Sequence, residues 1–263
     1  MLATEMKKDS KVRSILISQP KPEGDKSPYF NLAKKYRVKI DFRPFIFVEG
    51  IPSKEFRKSR VNIQEHTAVI LTSRNAIDHF FRTCDELRIK MSQETKFLCI
   101  SEAVALYLQK YTMYRKRKVF FGDGTSKGLT DILMKYKNGE KLLFPCSDIH
   151  KKDIPDFLVE NGFDFSEAVI YKTVLSDLSD LKEINYDMIV FFSPSGVKSL
   201  FHNFPKFKQS TTRIAAFGPT TSQAVLDANL RLDVRAPIPQ ALSMTMALER
   251  YLKKNNKKTP IEF

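Results

Sequence analysis

The chain has no tryptophan, four histidines, three cysteines and nine glycines in 263 residues. Each shortage closes off a class of function. The cysteines, Cys84, Cys99 and Cys146, show no CxxC spacing and read as reduced thiols, which excludes a disulfide scaffold or a redox motif. With so few histidines and no His/Cys cluster visible in the spacing, no metal site and no cofactor are expected. No GxGxxG follows the first apolar run and no Walker loop occurs, which speaks against a nucleotide-dependent enzyme. Without tryptophan, an aromatic platform or a recognition motif, a nucleic-acid reader is disfavoured. No apolar run approaches the roughly 18 residues of a membrane span. The opening MLATEMKKDSKVRS has no apolar h-region, so the expectation is a cytoplasmic protein without signal peptide or membrane partner.

Positive charge is plentiful. Lys+Arg number 44 against 30 Asp+Glu, a formal net charge of +14. That balance favours anionic partners: nucleic acid, anionic lipid, or a polycarboxylate or phosphorylated ligand. Part of it lies in ends that read as solvated, at Lys7, Lys8, Lys11, Arg13 and LKKNNKK. Arg115–Lys118 reads as a solvated loop before a strand.

Short Val/Ile/Leu/Phe runs alternate with amphipathic segments. Strands are expected at 14–18, 38–48, 68–72, 97–101, 118–122, 141–145, 164–174, 187–193 and 213–218. Helices are expected at 28–36, 75–88, 102–110, 127–137, 151–161, 195–202, 220–229 and 240–255. The alternation predicts an α/β protein with parallel sheets, and the unbroken apolar runs predict strands covered on both faces. The length suits two medium domains. The chain also resembles itself. AVILTSRNAIDHFF matches MIVFFSPSGVKSLF, FLCISEAVALYL matches IAAFGPTTSQAVL, and SILISQP matches KLLFPCSD. Thr72 and Ser193 lie 121 residues apart, Ser101 and Gly218 117, and Leu16 and Phe144 128. Such offsets predict an internal duplication of an α/β unit; they leave open which elements share a sheet.

Strand-to-helix turns rich in small hydroxyl residues recur. Ser73, Ser195 and Thr220 or Thr221 stand where an N-cap belongs. Capping alone explains any one of them. The functional alternative is a helix N-terminus whose free N–H groups meet an anion at the carboxyl edge of a sheet. Several such turns on a basic chain suit a ligand with several carboxylates or phosphates.

At these residues the chain resembles the uroporphyrinogen-III synthase family, from about Ile15 to Leu252. The pieces are ILISQP, VILTSRNAIDHF, FFGDGTSKGL, LLFPCSD, VIYKT, FFSPSGV and AAFGPTTSQAV, the last two being the most specific. The resemblance implies a bilobal fold of two α/β domains joined by two linker strands. One domain would be 1–46 plus 173–263, the other 49–170, with linkers near 45–48 and 169–172. It implies cyclisation and dehydration of hydroxymethylbilane, an anionic linear tetrapyrrole, with inversion of ring D through a spiro intermediate to give uroporphyrinogen III. Pyrrole nitrogen lone pairs expel the hydroxyl, so the demanding part is orientation rather than acid/base power. Lobe closure would set the ring geometry.

The resemblance assigns Tyr171 in VIYKT as the group assisting hydroxyl departure; interdomain packing is the structural alternative. A phenol of pKa about 10 is a hydrogen-bond donor and a poor general acid. Implied carboxylate binders are Thr72, Ser73, Arg74, Asn75, Ser101 and the Gly124-Thr125-Ser126-Lys127-Gly128 turn, with Ser147 beside them. In the other lobe they are Ser193, Ser195, Gly196, Val197, Gly218, Thr220 and Thr221, the two glycines permitting close backbone approach. Two departures stand out. The family's Thr-Arg-Pro is Ser18-Gln19-Pro20 here, and its Gly-x-x-Thr turn is Ser101-Glu102-Ala103-Val104. A monomer is implied, with the upstream hydroxymethylbilane synthase as a possible partner. A second class remains open: a non-catalytic bilobal binder of a tetrapyrrole, nucleic acid or other polyanion, whose binding would fall steeply with salt.

Overall fold

A computed structural model describes residues 11–24, 26–181 and 184–256. The first stretch of the chain forms β1 (Ser14–Ile17), α1 (Pro28–Tyr36), β2 (Lys39–Phe42), β3 (Ile46–Gly50) and α2 (Ser53–Phe56). The middle forms β4 (Ala68–Leu71), α3 (Arg74–Leu87), β5 (Lys96–Cys99), α4 (Glu102–Tyr107), β6 (Val119–Phe121), α5 (Ser126–Leu133), β7 (Leu142–Ser147), α6 (Asp153–Glu160) and β8 (Phe165–Leu175). The last stretch forms β9 (Met188–Phe191), α7 (Pro194–Asn203), β10 (Arg213–Phe217), α8 (Pro219–Asp227), β11 (Val234–Ala236) and α9 (Met244–Asn255). The α/β class with parallel sheets is as expected.

Two compact units result. One runs to Phe47 and resumes at Val174; the other is Val48–Thr173. The chain passes from one unit to the other inside β3 and β8. The first unit holds a five-stranded sheet of order β11-β10-β9-β1-β2, with every pairing parallel. The second holds a six-stranded sheet of order β3-β8-β7-β4-β5-β6, parallel from β8 to β6. Set side by side, β2-β1-β9-β10-β11 and β8-β7-β4-β5-β6 have the same plan. SILISQP and KLLFPCSD, AVILTSR and MIVFFSPS, and FLCIS and IAAFG occupy equivalent positions.

The strand runs explain the layers. All of β4 (AVIL) and β9 (MIVF) is buried, because helices cover both faces of each sheet. In β1, Ile15 and Ile17 pack on one face with Leu32 of α1 and Leu248 and Leu252 of α9. Leu16 packs on the other face with Val197 and Leu200 of α7 and Val225 of α8. In the second unit Val69 and Leu71 meet α3 and α4, while Ala68 and Ile70 meet Leu129 and Leu133 of α5 and Leu158 of α6. Truncating a fully buried leucine such as Leu16 to alanine costs about 2–5 kcal/mol.

Two expectations fail for local reasons. The single strand at 38–48 is two strands in different sheets. Pro44 lacks the N–H that a continuing ladder needs, and the chain changes unit just beyond it. The short β11, only three residues long, lies in a stretch expected to be loop. Among the described residues no helix is long and apolar enough to cross a membrane.

Candidate functional site

The strand-to-helix turns fall into two kinds. The open kind is found at α3, α7 and α8, none of which carries an acid in its first turn. At α3, Ser73 is the N-cap, its Oγ accepting from the Ala76 N–H at 3.0 Å. The backbone N–H groups of Ser73, Arg74 and Asn75 have no intrahelical acceptor. Asn75 and Arg74 are exposed, and the Arg74 guanidinium lies 5.2 Å over the Tyr107 ring. Tyr107 and Tyr111 donate their hydroxyls to Asp78, fixing that platform. Thr72 is half-buried at the strand end.

At α7 the N-cap is Ser193, not Ser195. Its Oγ accepts from the Gly196 N–H at 3.2 Å, and Pro194 takes the first helical position. The cap moves because proline there has no N–H to waste and its fixed φ suits the first turn. Ser195 is left half-exposed with a free N–H, whereas Gly196 and Val197 are buried. The Val197 side chain packs under α7 and is not a ligand group. At α8 the N-cap is Gly218, not Thr220 or Thr221. It holds φ +90°, a conformation that favours glycine, and no side chain caps the helix. A Cβ at Gly218 would meet nothing within 4 Å, so the turn faces open space. Thr220 is exposed; the Thr221 side chain is buried, with the residue 1% exposed, while its backbone N–H in the uncapped first turn has no intrahelical acceptor.

The filled kind belongs to the second unit. After β6, the Asp123 carboxylate accepts from the Thr125 N–H (2.9 Å) and hydroxyl (2.6 Å), which hold it below the usual carboxylate range. Thr125 in turn caps the Gly128 N–H at 3.0 Å. Gly128 is required by this packing: a Cβ there would lie 2.2 Å from Asp123 Oδ1. Ser126 donates its hydroxyl to Asp153 at 3.1 Å. Lys127 is exposed and, among the described residues, makes no ion pair. After β7, Ser147 is buried and donates to Asp148, whose Oδ1 also accepts from the Ile149 and Thr173 N–H groups. After β5, Ser101 caps Val104 weakly at 3.4 Å, is bridged to Asp123, and is followed by the exposed Glu102. These turns already hold carboxylates of their own. The Ser101, Ser126 and Ser147 hydroxyls bond within these turns, and Gly128 packs against Asp123.

Tyr171 sits on β8, 8% exposed, with its ring stacked on His79 at 5.0 Å and 21°. Burial raises its pKa, the neighbouring Ser73 hydroxyl opposes that, and Cys146 adds to it. Arg82 donates Nε to His79 Nδ1 at 3.3 Å and its other end to the carbonyls of Ile51 and Ile170. Burial first, then Arg82, lowers the His79 pKa, so the ring against Tyr171 is neutral. Sequence reasoning missed His79 and Arg82. The available signal was their place on α3, the helix that Ser73 caps. It also missed a group brought together by the turn after β7, where Cys146, His150 and Glu167 converge, against the expectation of no His/Cys cluster.

A family model described as uroporphyrinogen-III synthase HemD matches residues 29–246. A uroporphyrinogen-III synthase of Saccharomyces cerevisiae is 28% identical over 244 residues, covering 76% of this chain and 89% of the relative. One of Chlorobaculum parvum is 22% identical, covering 92% of this chain and all of the relative. Among solved structures, the uroporphyrinogen-III synthetase of Helicobacter pylori superposes with a TM-score of 0.62 at 19% identity, covering 92% of this chain and 99% of that one. A mutant uroporphyrinogen III synthase from Thermus thermophilus gives 0.55 at 16% identity, with the same coverage. These likenesses support the same fold.

Proposed function

The chain belongs to the uroporphyrinogen-III synthase family, a family of lyases, and from that premise we propose how it handles hydroxymethylbilane. The family match across 29–246 carries the reaction assignment: ring closure with loss of water and inversion of ring D. Hydroxymethylbilane bears carboxylates on every ring, and the chain's net charge of +14 suits it. The acid-free turns are the anchor points: Thr72, Ser73, Arg74 and Asn75 ahead of α3, Ser193 and Ser195 at α7, and Gly218 and Thr220 at α8. There, N–H groups, hydroxyl protons and the positive end of the helix dipole are available to carboxylates. Lys127 is a further exposed cation. The turns that Asp123 and Asp148 fill, and the α4 turn with the exposed Glu102 in its first helical turn, repel such groups.

Tyr171 assists departure of the hydroxyl by donating a hydrogen bond. As the C–O bond breaks its electrons leave with the oxygen, which takes a proton from solvent and departs as water; the pyrrole nitrogen lone pair stabilises the resulting cation, and ring closure later returns a proton. Because burial raises its pKa, Tyr171 contributes orientation and hydrogen bonding more than proton transfer. A monomer in the cytoplasm, receiving substrate from the upstream synthase, completes the proposal.

The test supplies porphobilinogen and a hydroxymethylbilane-forming enzyme, adds this protein, oxidises the products and separates isomers I and III. Isomer III is expected; isomer I alone, from folded protein, would leave a non-catalytic polyanion binder. That second reading rests on the basic loop at 115–118, but Lys118 is paired with Glu94 and Arg115 with Gln93.

A further inference from the structure

The turn after β7 brings together side chains that the tetrapyrrole chemistry does not use. Cys146 lies near the end of the buried run of β7, His150 follows four residues later, and Glu167 lies on β8 in register with Phe144. One donor atom from each lies within 4.8 Å of the others. Cys146 is 2% exposed at the base of this group.

The hydrogen bonds fix the histidine. His150 Nδ1 is 2.7 Å from the Ser147 carbonyl oxygen, which can only accept, so Nδ1 carries a proton. The edge of the ring is also held against Phe144, with centroids 5.7 Å apart. That leaves Nε2 as the ring's ligating nitrogen, and it faces Glu167 Oε2 at 2.9 Å. The Lys152 ammonium joins them, 3.2 Å from Nε2 and 3.1 Å from the same carboxylate oxygen. Its side chain is 57% exposed and can swing into water. An imidazole oriented through its far nitrogen, a carboxylate and a thiol around a replaceable cation form a zinc-type donor set with one open position.

We propose that Cys146, His150 and Glu167 bind a thiophilic divalent metal of the zinc class, with Lys152 as the cation displaced on binding. The sulfur–metal bond forms as the thiol proton passes to solvent, and the lysine ammonium leaves the carboxylate.

The test titrates the chelator-treated full chain with Co2+ alone, followed by absorbance. One equivalent should give a thiolate-to-cobalt charge-transfer band with tetrahedral visible bands, both removed by Zn2+. Cys146→Ser should abolish the charge-transfer band, and Glu167→Gln should weaken binding at least about tenfold. Lys152→Ala, an exposed change that leaves the fold intact, should tighten it about three- to tenfold. No charge-transfer band at saturating cobalt in either the parent or Lys152→Ala would overturn the proposal, as would a band that survives Cys146→Ser. Unchanged or weaker binding in Lys152→Ala would overturn the displaced-cation assignment.

Discussion

The two units share one strand plan and differ in what fills their turns. Ahead of α7 and α8 the chain places Ser193-Pro194-Ser195 and Gly218-Pro219-Thr220, without an acid. At the equivalent turn of the second unit, Ser101 leads into Glu102, and the next turns hold Asp123 and Asp148 against their own amides. Only the α3 turn of that unit, Ser73–Asn75, resembles those of the first. An amide nest can be satisfied from inside or by a ligand, and the sequence of each turn chooses. Turns that bring their own carboxylate gain rigidity and lose the capacity to bind another anion.

The largest expected effect tests a filled turn by overpacking it. Gly128→Ala drives a Cβ into Asp123 and should cost about 1–3 kcal/mol of stability, read by denaturant unfolding. The same change at Gly218 meets no atom, and only its backbone, φ +90° and ψ 154°, opposes it, at a cost of about 1–3 kcal/mol. No loss at Gly128 would mean that the Asp123 nest is not packed as described.

Next comes Tyr171→Phe, beside the one open turn of the second unit. Losing a hydrogen bond to the departing hydroxyl should lower kcat about 10- to 100-fold while the Tm changes little. A drop in Tm with kcat retained would make Tyr171 a packing residue.

The smallest effect separates the units by pH. His66 and His79, both in the second unit, have pKa values lowered chiefly by burial. A histidine that is neutral when folded and titrates near pH 6.5 when unfolded adds stability above that pH, and loses it as pH falls through the window below. Amide exchange should therefore show the second unit loosening first on mild acidification. His66→Gln should flatten that dependence.

Much of this was legible in the sequence. AVIL, MIVF and RIAAF are long apolar runs, and their order and repetition fixed the class and the equivalent positions. The break at Pro44 was misread because KIDF and IFVEG are each good strands and only the tertiary fold assigns them to different sheets. The caps were misplaced by two residues at α7 because Ser193 and Ser195 are equally good by type, and Pro194 decides between them. The filling of the turns was partly legible. Asp123 and Asp148 stand in FFGDGTS and PCSDIH, but that their carboxylates fold back onto Thr125 and Thr173 depends on geometry. Cys146, His150 and Glu167 come together only when β7 pairs with β8.

The most direct test places one acid at the same helical position of an open and a filled turn. Asn75→Asp and Ala103→Asp both add a carboxylate to the exposed second residue of a helix, where it favours the helix dipole and preserves the fold. The measurement is kcat/KM for hydroxymethylbilane generated in situ. The account predicts at least about a tenfold fall for Asn75→Asp and a change within about twofold for Ala103→Asp. Equal falls, or a larger one at Ala103, would contradict the division between turns that bind the substrate and turns that bind themselves.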